Sequence, residues 1–224
     1  SRTFADLPHL LRRQHLTEQT LRQLARKSGR IGLSKQAHQL LLTSNDLDHA
    51  ALEQCLASLA GPGIDAGDLF FQHRQSESWS LEEGIVKQGS FNLEQGVGVR
   101  ALTGEKTGFA YSNSINRGAL LQAAEAARSI AASGQQRAPA AFTTQPALSL
   151  YPAADPLQVL DREQKVELLK QLDAYTRSLD PRIQQVNLSM AGSREHMLVV
   201  DLDGRLATDV RPMVGLNVSV IVEQ

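Results

Sequence analysis

The sequence predicts an α+β fold, with helices packed on a largely antiparallel sheet, and three observations carry that prediction. Apolar residues recur at helical spacing in three places. Period-two alternation punctuated by glycine fills residues 68–112 and 185–222. The links between those strand patterns are too short for parallel crossovers. A helix followed by a strand meander occurs twice, so the chain is expected to have two similar halves.

Taking the elements in order, residues 1–33 carry seven basic residues (Arg2, Arg12, Arg13, Arg22, Arg26, Lys27 and Arg30) against Asp6 and Glu18. They form a basic, amphipathic N-terminal extension, a solvated helical arm in the simplest reading and a membrane or acidic-partner contact in the other. Ser34 to Thr43 predicts a short helix. Asn45 or Asp46 is expected to cap the next one, whose stripe is Leu52, Cys55, Leu56 and Leu59, and Gly61-Pro62-Gly63 ends it. On that stripe Cys55 is a small buried residue rather than a nucleophile.

Strand patterns follow at Leu69–Gln72, Trp79–Leu81, Ile85–Lys87, Val97–Ala101 and Gly108–Tyr111, with Gly84, Gly89 and Gly104 expected as turns in a meander of about four strands. Asn116 caps a helix bearing Leu120, Ala124, Ala127 and Ala131. Residues 134–161 hold four of the eight prolines and predict an extended connector. Asp161 and Gln164 form a capping-box pair before Leu168, Leu172, Tyr175 and Leu179. Strands are expected again at Gln185–Ala191, His196–Val200, Leu206–Val210 and Val214–Val222, with a turn at Asp203-Gly204. The expected divisions are therefore an extension (1–33), a first half (34–133), a connector (134–161) and a second half (162–224). The second half stops before any counterpart of the Thr107–Tyr111 strand, and the chain starts at Ser1 and stops inside an alternating run, so a fragment is expected.

With 224 residues, 42% hydrophobic and 21% charged, the chain is long enough for a substantial core. A formal net charge of −1 speaks against a basic nucleic-acid binder. No apolar run reaches the length of a membrane span, no signal-peptide pattern is present, and a single cysteine forms no internal disulfide; a cytoplasmic location is expected.

Most chemical signatures fail on context. Gly96-x-Gly98-x-x-Ala101 fits a dinucleotide fingerprint, but Val97, Val99 and Ala101 alternate along a strand instead of opening a helix. Gly104-Glu105-Lys106-Thr107 lacks the spacing of a phosphate loop. The six histidines make no metal-binding pair at helical spacing, and no catalytic triad stands out. The acidic pairs Glu82-Glu83 and Asp201/Asp203 fit solvated turns better than a small-molecule active site. What remains is the strand face shared by Gly96, Gly98 and Arg100. Two glycines there make room for a close neighbour: either a packed helix, or a peptide lying along the surface with Arg100 holding a carboxylate.

The segments Gly67–Gln72, Glu77–Glu82 and above all Gly96-Val97-Gly98-Val99-Arg100-Ala101-Leu102-Thr103-Gly104-Glu105-Lys106-Thr107-Gly108-Phe109-Ala110-Tyr111 resemble the TldD/PmbA family of bacterial metalloproteases, on its TldD side. Asp155-Pro156-Leu157 and Asp209–Pro212 add to the resemblance, which runs from about Ser34 to Gln224. It implies a cytoplasmic zinc peptidase that acts on unfolded or leader peptides as a heterodimer with a PmbA (TldE) paralogue. The family's His-Glu-x-x-x-His metal helix and later cysteine lie in its C-terminal domain. This sequence contains neither, so no catalytic or metal-binding residue is assigned to it, and the chain alone is expected to be inactive. The resemblance implies the N-terminal domain, forming substrate channel and partner interface, with Gly96, Gly98 and Arg100 on the channel side. A non-catalytic module that docks a PmbA-like paralogue is the alternative.

Overall fold

The computed structural model describes residues 30–131, 143–144 and 155–223. The basic extension lies outside these residues except for its last four, and so does most of the Pro-rich connector. Helix α1 spans Arg30–Leu41, and a 3-10 turn at Thr43–Asn45 leads into α2, His49–Leu59. Asp48, not Asn45 or Asp46, caps α2, its side chain accepting from Ala51 N at 2.8 Å; Asp46 instead takes a left-handed φ of 54° as the turn closes.

The strands are far longer than the sequence patterns suggest. β1 runs Ala66–Glu82, β2 Ile85–Thr103 and β3 Lys106–Ser112; α3 follows at Arg117–Ala131 and β4 at Thr143–Thr144; α4 is Arg162–Arg177, β5 Ile183–Asp201 and β6 Arg205–Val222. Each pair of short patterns on either side of a polar stretch is one continuous strand. Leu69–Gln72 and Trp79–Leu81 both belong to β1, for example. Serines and glutamines between them pair across the ladder as well as apolar residues do, because backbone groups make the ladder. Gly89 is likewise not a turn. It sits within β2 opposite Trp79, and a Cβ there would come within 2.6 Å of the indole ring, so the glycine makes room for the tryptophan. The β1–β2 connection is the two-residue turn Glu83-Gly84, both with positive φ (51° and 73°), the backbone that suits the twist of a tight hairpin.

The six strands form one sheet in the order β3-β2-β1-β5-β6-β4, antiparallel except for the short β4–β6 pair. This is the expected α+β architecture. Two long hairpins, β1–β2 and β5–β6, meet through β1 and β5, from Asp68 opposite Asp201 to Glu82 opposite Asn187. Alternation sends Leu69, Phe71 and His73 of β1 to the same face as Val200, Leu198 and His196 of β5, and the helices cover that face.

Two apolar clusters result. The larger lies under α1, α2 and α3 and includes Leu41, Leu52, Leu56, Phe71, Val99 and Leu198; the smaller packs α4 through Leu168, Leu169 and Leu172 onto Leu81, Val186 and Leu188. The Asp161–Gln164 capping box is present, with both reciprocal bonds formed. Cys55 is fully buried, its Sγ 3.4 Å from Leu120 O, and burial pushes its thiol pKa up to about 12, so it is no nucleophile.

Helix α3 presents mostly alanines to the sheet, which lets its backbone come unusually close. A Cβ added at Gly108 would collide with Ala127 O and lie 3.0 Å from Ala127 C. Gly108→Ala is therefore expected to cost about 2–3 kcal/mol in urea unfolding, whereas Gly118→Ala, with 3.4 Å to its nearest neighbour, costs nothing measurable.

Candidate functional site

The face of the sheet opposite the helices is left uncovered by any described element, and it carries a shallow depression of about 590 Å³ at the β3 end. It is lined by Asp68, Phe70 and Gln72 of β1, Gly96, Gly98 and Arg100 of β2, Phe109 and Tyr111 of β3, and Val199 and Asp201 of β5. Strand alternation brings these side chains to one face. The hairpin register set by the Gly104-Glu105 turn puts Tyr111 opposite Gly98 and Phe109 opposite Arg100.

The three residues singled out from the sequence thus come together. The close neighbour of the two glycines is not a helix but the adjoining strand β3, chiefly its side chains. A Cβ at Gly98 would lie 3.1 Å from the Phe109 ring, and one at Gly96 would run into the Tyr111 hydroxyl and stand 2.7 Å from Ser112 O. Tyr111 Oη donates to Gln95 O at 3.4 Å, steadying a ring that is 62% exposed; Phe109 is 58% exposed. The glycines therefore let two aromatic rings lie along the sheet as a flat apolar platform.

Arg100 stands at one rim, directly opposite Asp68. Its Nε and Nη2 donate to the same carboxylate oxygen at 2.8 and 2.5 Å. A carboxylate ligand would have to compete with Asp68 for this guanidinium, a constraint the sequence did not reveal because the partner lies 32 residues earlier. Across the floor, Asp201 is held by Arg205 at 2.8 Å, and Gln72 donates to Glu195. Phe109 and Tyr111 were legible in principle: two aromatics two residues apart, folded by one turn onto two glycines two residues apart.

The helix-covered face carries a second polar group that sequence reasoning missed. Between the two apolar clusters, Arg194 pairs with Asp155 at 2.8 Å and Lys165 with Glu77 at 2.6 Å; the side chains of Lys165 and Arg194 are only 5% and 10% exposed. Lys165 Nζ also donates to Leu157 O, and Arg194 to Gln36 Oε1 of α1. His73 and His196 face each other beside them.

Among the described residues, no three His, Cys, Asp or Glu side chains come together as a metal site. The buried His73–His196 pair has the Arg194 cation beside it, which opposes a metal ion. The described residues do not fit a zinc centre. Among the described residues no helix is long and apolar enough to cross a membrane.

Residues 67–131 match the family model for PmbA/TldA metallopeptidase domain 1, and residues 155–224 match that for the PmbA/TldA metallopeptidase central domain. A metalloprotease TldD homologue of Haemophilus influenzae is 43% identical over 191 residues, and one of Buchnera aphidicola is 42% identical over 184. The chain belongs to the PmbA/TldD metallopeptidase family. These matches cover 84% and 82% of this chain but 40% and 38% of the relatives, so the chain spans about two fifths of their length. In fold it is similar to a putative modulator of DNA gyrase from Bacteroides thetaiotaomicron (TM-score 0.60, 16% identity, 78% of this chain and 41% of that one). It is also similar to TldE from Thermococcus kodakarensis (TM-score 0.55, 12% identity, 78% and 40%).

The Asp68–Arg100 pair orients the rim without holding the fold together, since the arginine side chain is half exposed. Asp68→Ala is expected to change unfolding free energy by less than about 1 kcal/mol while shifting the Arg100 Nε–H resonance.

Proposed function

We propose that this chain is the substrate-channel wall and partner interface of a TldD-like zinc metallopeptidase that acts on unfolded or leader peptides, in the cytoplasm, together with a PmbA-like paralogue. The observation that carries the reading is the uncovered sheet face with its aromatic platform, in a chain 43% identical to a metalloprotease TldD homologue. In this reading the metal belongs to a part of the intact protein outside these 224 residues, where it would supply the hydrolytic chemistry. No step of that chemistry is assigned to the residues described here.

Their part is to bind and orient. An extended peptide laid on the open face meets Phe109 and Tyr111 through alternate side chains, and the platform discriminates little among apolar residues, as befits an unfolded substrate. Gly96 and Gly98 let those two rings lie low on the sheet, so that the peptide meets them as a flat surface. Arg100, aimed by Asp68, meets a carbonyl or carboxylate at the rim.

Phe109→Ala/Tyr111→Ala in the intact protein with its paralogue tests the reading. Loss of an exposed aromatic platform is expected to raise KM for an unfolded peptide about five- to tenfold while kcat and metal content hold. An unchanged KM would contradict a channel role for this face. An intact protein with neither metal nor peptidase activity would favour the docking module.

A further inference from the structure

The β1–β5 ladder is the one strand pairing, among the described residues, between the two segments that match separate family models. Near its middle, His73 of β1 lies directly opposite His196 of β5 on the helix-covered face. Their residues are 8% and 3% exposed, the ring centroids are 6.2 Å apart in an edge-to-face arrangement, and neither Nδ1 has a hydrogen-bond partner. Two buried imidazoles with unpaired nitrogens at the centre of a seam are a poor choice for stability alone, since an apolar pair would fill the space without orphaned polar atoms.

We propose that the His73–His196 pair is an acid-sensitive latch: the β1–β5 seam closes around two neutral rings and loosens when they take up protons, uncoupling the two family segments. Burial outweighs what little the surroundings offer a proton, Asp155 near His196 and a backbone hydrogen bond at His73. Arg194, two residues along β5 on the same face, already supplies a buried cation, and Asp155, from the chain before α4, is engaged with it. Farther along the seam, Glu77 of β1 is engaged with Lys165 of α4. α1 offers the neutral Gln36, bonded to Arg194, with Lys35 exposed and His38 farther along the helix. The flanking strands offer Gln95 of β2 opposite His73 and Val210 of β6 opposite His196, both neutral.

Burial, then Arg194 and His73, lowers the His196 pKa to about 4, with Asp155 opposing; burial lowers that of His73 too. A histidine in the unfolded chain titrates near 6.5. Below that pH the unfolded state binds more protons than the folded one, so stability is full above about pH 6.5 and falls as the pH drops toward 4. His196 alone costs up to about tenfold in the folding equilibrium per pH unit across that window.

Urea unfolding of the full chain from pH 7 to pH 5 tests the latch against His73→Leu/His196→Leu. The wild-type folding constant is expected to fall at least about tenfold more than that of the double variant. Equal falls would overturn the proposal. Because the double variant could fail to fold, proton NMR of the wild-type histidine C2–H signals gives a second reading. A His196 midpoint well below 6, with protection of the β1–β5 amides falling ahead of the β2–β3 amides on acidification, supports the latch. A midpoint near 6.5, or protection that falls uniformly, refutes it.

Discussion

The antiparallel seam between β1 and β5 is the constraint on which the rest of this structure depends. Without it the sheet would split into β3-β2-β1 and β5-β6-β4, each with a newly open edge at its break. With it, strands of 17–19 residues align over fifteen residue pairs, and one continuous sheet face is presented to all the helices. β1 serves both clusters: Leu69 and Phe71 belong to the larger, while Leu81 and Trp79 belong with α4 in the smaller. A strand from one family segment thereby completes the core of the other.

A strand that long cannot be apolar throughout without exposing a sticky surface wherever the helices leave a gap. The gap between α1 and α4 is filled with charge instead. Arg194 holds Asp155, Lys165 joins Leu157 O to Glu77 across the seam, and one methyl group of Leu157 lies against Gly192. Buried pairs of this kind add little net stability, because desolvation offsets much of the attraction. They do penalise misregister, since a slip of one residue along β5 would send Arg194 to the open face and leave Asp155 buried without a partner. The two sheet faces thus divide the work. The helix face sets the register, and the open face, relieved of packing, is available for the platform of Phe109 and Tyr111.

Much of this was legible in the sequence, and the misses have physical causes. Fold class, the helical stripes and the turns at Gly84, Gly104 and Gly204 follow from period and turn chemistry, which are local. Strand length does not: Ser76, Ser78 and Ser80 carry no apolar alternation, yet their backbone pairs on both sides because neighbours from 8 to more than 100 residues away impose it. Gly89 looked like a turn because the ring that needs its space belongs to Trp79 across the ladder. Gly96, Gly98 and Arg100 were readable as one face, but the Asp68 partner and the overlying rings depend on register. His73 and His196 looked like two of six scattered histidines, since only the seam puts them side by side. Family membership was readable from the Gly96–Tyr111 block, a run long enough to be specific.

The central claim, that the seam makes both segments one cooperative unit, has a built-in reporter. Trp79, the only tryptophan, lies on β1 and packs against the α4 cluster, whereas most helical residues described belong to α1, α2 and α3 over the other cluster. Urea unfolding at pH 7.5, followed in parallel by Trp79 fluorescence and by helical circular dichroism, tests the claim most directly. The structure predicts a single transition with coincident midpoints and slopes. Two separated transitions, with Trp79 released while the helical signal persists, would contradict it.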